Sequence, residues 1–397
     1  MSRPAPNVVV MTTEVLLPHA ATKLVSPALL LRFVSVVGSS IGFYLPLAVV
    51  PLFAEQAGSG GSAGLATVAL LLATVAGELV TPRLIARIGY RRALGTGLLL
   101  LGAPTIALTL SDSLATIMVV SVVRGAGFAI CAVAGGAVTA TLIPAERRGE
   151  GLALVGIVGG VPSLLALPAG VAMAARWGYT PVFLATAAAT LLALLSVPGL
   201  PHHAARSKTE RHHSVLAGLR SVVLVRPAAI FALSAGAAGV IVTFLPLALT
   251  EQPAALTVAA LLAQSAASTV ARWFAGRLGD RHGTARLLTP GVVLATLGMG
   301  IMAATGAPSA VISGAILFGT GFGLLQNATL TLMYNRVPAG GEGAVSAIWN
   351  AAYDLGMAAG ALGAGLIIIS IGYPATFLLT AAAIIPALAL VRRDRRP

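Results

Sequence analysis

"RLIARIGYRRAL" (83–94) and "RLGDRHGTARLL" (277–288) are two versions of one motif, each closing an apolar run, and they stand 281 − 87 = 194 residues apart. The same offset, without gaps, aligns Gly97 with Gly291 and "GAGF" (125–128) with "GTGF" (319–322). It also pairs Pro144-Ala145 with Pro338-Ala339 and Gly149 with Gly343, and it ends by laying "WGYTPVFLATAA" (177–188) on "IGYPATFLLTAA" (371–382). Chance likeness between Ala/Leu-rich segments scatters over many offsets, so a single one marks a duplication. Further upstream, Leu45-Pro46-Leu47-Ala48 matches Leu245-Pro246-Leu247-Ala248 at an offset of 245 − 45 = 200, the longer stretch "EQAGSGGSAG" (55–64) absorbing the difference.

What was duplicated is a membrane unit. Hydrophobic residues make up 57% of the 397 and charged residues 9%, against roughly 25% charged in a water-soluble domain, and mean hydropathy is +0.94. Lipid is therefore the solvent for most of this surface, and the 45 glycines suit helices packed closely through small residues. The net charge of +13 does not imply nucleic acid, because the basic residues sit at the ends of apolar segments rather than clustering on a soluble face. One cysteine, Cys131, excludes an intrachain disulfide framework.

A bilayer core takes about 20 apolar residues per helix. Twelve such spans are expected, near 28–54, 62–83, 93–111, 114–141, 150–174 and 178–198, then 228–250, 255–276, 287–306, 309–335, 343–370 and 374–391. Arginine tests the count. Arg83, Arg87, Arg91 and Arg92, then Arg147 and Arg148, fall in even-numbered loops, as do the central cluster from Arg206 to Arg226, then Arg277, Arg281 and Arg286, then Arg336. Odd loops hold Glu55, Asp112 and Glu251, with Arg176 as their one basic residue. Arg3, Lys23, Arg32, Arg392 and Arg393 are assigned to the tails. Both termini (1–27 and 393–397) and the linker 199–226 are thus expected in the cytoplasm, with six-helix bundles at 28–198 and 227–392. No signal-peptide pattern opens the chain. His202-His203 and His212-His213 in the linker could bind metal, but no carboxylate or cysteine cluster joins them, and a solvated linker is the simpler reading.

Two fused six-helix halves of parallel topology resemble the major facilitator superfamily, over residues 28–392. That family's loop motif is matched in the second half by Gly276, Asp280, Arg281 and Gly283, with Thr284 where a basic residue is usual. The first half keeps Arg87 and Gly89 but has Pro82 and Ala86 where Gly and Asp are expected. The resemblance implies alternating access with these loops gating, a small-molecule substrate, and helices one, four, seven and ten around the cavity. The "RGAG" at Arg124 resembles the fourth-helix arginine motif of drug:proton antiporters. Gly156, Gly160 and Pro162 partly resemble their fifth-helix motif; the Gly156–Gly160 spacing also allows close helix approach.

A symmetric fold needs no asymmetric charge, so mechanism is sought where the copies differ. Ionisable groups inside spans are costly and mark function by default. Arg124 stands opposite Phe318, Asp354 opposite Gly160, and Glu78 opposite Arg272. Low dielectric disfavours a charged carboxyl, so Asp354 and Glu78, with Arg124, are the candidates for proton coupling; inner-gate ion pairs, including Arg272 with Glu150, are the alternative. Arg124, Gln326, Asn327, Asn350, Phe43 and Tyr44 are candidate substrate contacts, or ordinary interhelical bonding and packing. The expectation is a monomeric, proton-driven exporter of small amphipathic or cationic molecules in the inner membrane, needing no cofactor or metal and no enzymatic site. The alternative is a proton symporter importing a polar nutrient such as a sugar or organic acid.

Overall fold

A computed structural model describes residues 25–58, 62–143, 148–201, 221–337 and 342–394. The two histidine pairs, Pro144-Ala145 and Pro338-Ala339 lie outside them.

The first span is broken: α1 (Pro27–Tyr44) and α2 (Val49–Ala57) flank Leu45–Ala48. Pro46 has no N–H to continue the ladder, which ends α1 where one helix over 28–54 was expected. Ser26 starts α1 by accepting from the Leu29 N–H at 3.2 Å, with Pro27 at the first turn. There follow α3 (Ser62–Ile88), α4 (Tyr90–Gly102) with a 3-10 extension to Thr109, α5 (Leu114–Leu142), α6 (Arg148–Trp177) and α7 (Tyr179–Leu194). The second half holds α8 (Val222–Ala248), α9 (Ala254–His282), α10 (Leu288–Met302), α11 (Pro308–Tyr334), α12 (Glu342–Ile384) and α13 (Pro386–Asp394). Because α8 begins at Val222, residues 222–226, Arg226 among them, belong to the helix and not to the linker.

Among the described residues, eleven helical units are long and apolar enough to cross a membrane, and the last covers 50 residues, Val345–Asp394. That unit is interrupted at Gly372, whose φ of 76° is non-helical. It returns on itself: Leu379 and Ala383 share a groove with Leu355 and Ala359, and Asp394 reaches Arg336, just ahead of Glu342.

The duplication is visible atom by atom. The positive-φ residues among those described are Gly89, Gly178, Gly283 and Gly372, and 283 − 89 and 372 − 178 both equal 194. A left-handed backbone is nearly free for glycine and costly for other residues, so each copy keeps its glycine at both breaks. In the first half Gly125 abuts the Leu70 carbonyl and Gly127 the Leu101 amide; in the second, Gly319 abuts the Gln264 carbonyl and Gly321 the Ala295 amide. All four pairs obey the same offset, and the small residues let α5 and α11 cross their neighbours closely.

The halves join where α3 meets α12 and where α6 meets α9. At the end away from the arginines they touch: the Thr67 and Thr243 hydroxyls bond at 3.0 Å, and Gly64 packs under the Ala361 carbonyl and the Phe244 ring. Apolar side chains such as Leu110, Leu195 and Leu366 are exposed on the outer face, as a lipid-facing surface requires.

Candidate functional site

A cavity of about 130 Å³ lies between the halves, with walls from both. The most polar wall is one face of α9. Gln264, Ser265, Ser268, Thr269 and Arg272 recur every three to four residues and line it together. The periodicity is written in "QSAASTVAR" (264–272) but is masked by the alanines between, and of these residues the sequence reading had singled out Arg272 alone. Across from it stand Tyr44, Ser163, Phe322, Gln326 and Tyr353.

The aromatic groups are fixed from behind. Tyr44 meets the edge of Phe43 at 5.1 Å, and Phe43 stacks on Phe128 at 3.8 Å. Phe43 is thereby buried packing rather than cavity wall, and Tyr44 is the one that lines the space. On the other side Trp349 donates its indole N–H to the Thr329 hydroxyl at 3.0 Å and stacks on Phe231 at 4.4 Å. Phe231 in turn stacks against Phe322 and Tyr353, each at 5.8 Å. Such pairs set ring positions as well as burying area. Phe322 and Tyr353 were missed, since a lone aromatic in an apolar helix carries no sign of which way it faces.

Two of the repeat-breaking charges lie on helices that meet beside this cavity. Asp354 is buried on α12 and Glu78 is half-buried on α3, two helices that pack against each other. Tyr353, the residue before Asp354, lines the cavity together with Tyr44 and Arg272. Under the pseudo-symmetry, Glu78 corresponds to Arg272 and Asp354 to Gly160. The α3–α12 junction therefore holds two acids, where the α6–α9 junction holds one arginine and an empty glycine position. Arg272 is exposed, as a wall residue facing an opening must be. The Glu150 side chain proposed as its partner lies outside the described residues.

Other expected residues stand apart from this cluster. Arg124 is fully buried between α5 and α1, where Nη2 donates to the Gly42 carbonyl at 3.1 Å and Nε has no partner; it does not reach the cavity wall. Its bond fastens the last turn of α1, which ends in Tyr44. Arg32, assigned to the tail, is instead buried inside α1: Nε donates to the Gly135 carbonyl at 3.2 Å and the Thr139 hydroxyl at 3.0 Å, and Nη1 to Ser35 at 2.7 Å. Asn327 is half-buried and turned toward Gly276, and Asn350 is exposed further toward the arginine-rich end; neither lines the cavity, whereas Gln326 does.

The fifth-span motif is corrected in its packing. A Cβ on Gly156 or Gly160 would meet nothing within 4 Å, so no helix approaches there. The tight approach of α6 to α1 is at Gly170, under the Leu45 carbonyl, and at Gly159, where an added Cβ would meet Val36 at 3.1 Å. Gly156 and Gly160 fall on the Ser163 and Leu167 face, so they continue the cavity toward the arginine-rich end. Pro162 and Pro168 sit within an unbroken α6. Of the loop motif, Gly89 and Gly283 make the turns, with φ of 80° and 89°, and place Arg87 in the last turn of α3 and Arg281 in the last turn of α9. Gly276 is inside α9, and the Asp280 side chain lies outside the described residues.

Comparison with known proteins adds a family. The model of the Major Facilitator Superfamily matches residues 32–361 and again 254–397. The riboflavin transporter RibZ of Clostridioides difficile is 30% identical over 111 residues, 28% of this chain and 24% of that protein. An uncharacterised MFS-type transporter of Salmonella typhimurium is 31% identical over 120 residues, 30% of this chain and 31% of that one. The matched stretches thus span about a quarter to a third of these relatives. In fold, the nucleoside transporter NupG superposes with a TM-score of 0.75 at 16% identity, over 94% of this chain and all of that one. A bacterial homologue of the lysosomal transporter Spinster, inward-facing and occupied, gives 0.77 at 13%, over 94% and 98%.

Proposed function

The chain belongs to the major facilitator superfamily, and we propose that it is a secondary active transporter exchanging protons for small amphipathic or cationic molecules by alternating access. The observation that carries this reading is the placing of two acids, Glu78 and Asp354, on the packed helices α3 and α12 beside a cavity walled by Arg272, Tyr44 and Tyr353. With both carboxyls ionised the cluster carries two negative charges against one positive; one bound proton makes it neutral. Net charge in a low-dielectric interior is strongly disfavoured. A proton and a cationic substrate therefore compete for the same imbalance, and competition for one site is the minimum that antiport needs.

The remaining assignments follow from that core. Tyr44, Phe322 and Tyr353 supply flat apolar contact, while Gln264, Ser268 and Gln326 supply hydrogen bonds. Arg124 acts by holding the end of α1 in place. Asn350, Asn327 and the open face at Gly156 and Gly160 form the approach from the arginine-rich end, and the turns at Gly89 and Gly283 are the pivots beside it. Gly372 is the turn between an eleventh and a twelfth crossing, as Gly178 is between the fifth and sixth. By the positive-inside rule both termini and the linker are cytoplasmic, and the chain works as a monomer in the inner membrane, driven by the proton gradient.

A second reading, proton-coupled import of a polar solute, is favoured by the hydroxyl- and amide-bearing face of α9, which supplies more polar groups than an apolar cargo needs. Vesicles containing the purified protein and an internal pH dye separate the two readings. Under an imposed pH gradient, ethidium moving against the proton flow supports antiport. Riboflavin or uridine moving with the protons, and ethidium not at all, overturns it in favour of import.

A further inference from the structure

A second cavity, larger than the central one, lies on the outside of the second half. A groove of about 700 Å³ runs along the outer face between α8 and α12, and apart from Thr380 its lining is apolar, drawn largely from small residues such as Ala232, Gly236, Gly356 and Ala359. On α8 the lining runs from Ala229 to Val240, eleven steps or about 16 Å at 1.5 Å per residue. The α12 wall continues into an exposed stripe at Leu362, Leu366 and Ile369, so the groove opens to the lipid.

The repeat shows how the second half departs from the first along this face. At the corresponding positions the first half carries Arg32 for Ala232, Val36 for Gly236, Pro162 for Gly356 and Leu165 for Ala359. Each exchange leaves a smaller side chain in the second copy. Buried voids lined by apolar atoms forfeit dispersion contacts, so a groove this large facing a membrane is occupied by what surrounds it.

The charge at its end selects which lipid. Residues 226, 229, 233, 236 and 240 follow the three-and-four spacing of one helix face, so Arg226 heads the same face that lines the groove. Its Nη1 donates to the Arg393 carbonyl at 3.3 Å, bringing the start of α8 against α13 and its Arg392 and Arg393. The carboxylate beside them, Asp394, is engaged by Arg336 through bonds of 2.8 and 2.9 Å. Basic residues at the membrane surface attract anionic headgroups.

We propose that this groove is a binding site for an anionic phospholipid, with an acyl chain lying between α8 and α12 and the phosphate held by Arg226, Arg392 and Arg393. The site is separate from the central cavity and stands whether or not the proton-exchange reading does. Full-length protein in detergent micelles, given equal palmitoyl-oleoyl phosphatidylglycerol and phosphatidylcholine, is weighed by native mass spectrometry. Phosphatidylglycerol is expected to exceed phosphatidylcholine by about fivefold or more, near 1 kcal/mol per contributing arginine. Arg226→Gln brings the ratio toward one without emptying the groove. Ala359→Leu restores the side chain of the first half, and Gly363→Leu extends into open space where a Cβ meets nothing within 4 Å; both lower retained lipid of either kind by about fivefold. Equal retention of the two lipids by the native protein overturns the proposal, as does undiminished lipid in a monodisperse groove-filled variant. If neither filled variant folds, Arg226→Gln decides: an unchanged ratio sinks the headgroup assignment and with it the site.

Discussion

Asp354 and Glu78 carry the heaviest burden of any two side chains, because neither has an arginine bonded to it among the described residues and both lie on helices that meet beside the cavity. If they hold the transported proton, Asp354→Asn and Glu78→Gln each reduce gradient-driven transport at least about tenfold, which is 1.4 kcal/mol of lost coupling. Exchange of labelled for unlabelled substrate, which needs no proton movement, survives in the same variants. Gradient-driven uptake at native rates in both would remove them from the mechanism. These two residues were legible in the sequence because charge inside an apolar span stands out against its twin in the other copy. Tyr353 and Phe322 were not, since nothing in an apolar helix distinguishes an aromatic ring facing a cavity from one facing a neighbour. Arg32 misled for the opposite reason: an arginine near a helix start reads as a tail charge, and only the alignment of Gly135 and Thr139 on α5 reveals it as an interior clamp.

At the scale of helices, the 194-residue offset foretold more than a count, since it placed the turn glycines in register and paired the crossings of α5 and α11. What it could not foretell is which glycine lets which helix through, because every Gly-x-x-x-Gly looks alike until a partner lies on it. Gly170 and Gly156 make that distinction measurable. Gly170→Ala drives a methyl into the Leu45 carbonyl and is expected to destabilise by about 1–3 kcal/mol, the usual cost of overpacking. Gly156→Ala enters open space in a helix and is neutral or stabilising by up to about 1 kcal/mol. Thermal unfolding of the detergent-solubilised variants reads both; equal shifts would mean that α6 does not pack on α1 as described. Gly372→Ala belongs to the same test from another direction, because its φ of 76° imposes backbone strain of about 1 kcal/mol or more on any residue with a Cβ. Lowered thermal stability is expected there, and an unchanged melting temperature would place the return of α12 elsewhere.

The whole molecule has one end shut and one end parted. Thr67 on α3 and Thr243 on α8 join hydroxyls across the two halves, while Arg272 and Asn350 toward the arginine-rich end are exposed. The sequence announced two halves and their parallel order but not this asymmetry, because the same contacts exchanged between ends describe the other state of the same chain. If transport requires the halves to rock about the central cavity, the Thr67–Thr243 contact must break once per cycle. Replacing both with cysteine, in a chain whose buried Cys131 is changed to alanine, places two thiols where the hydroxyls stand 3.0 Å apart. Oxidation is then expected to abolish transport in vesicles and reduction to restore it, with each single-cysteine variant unaffected by either treatment. The cross-link fraction, read by gel mobility, sets the size of the loss: transport falls in proportion to it if every cycle opens this end. Full cross-linking with transport intact would show that this end stays closed throughout, and alternating access through the central cavity would fall with it.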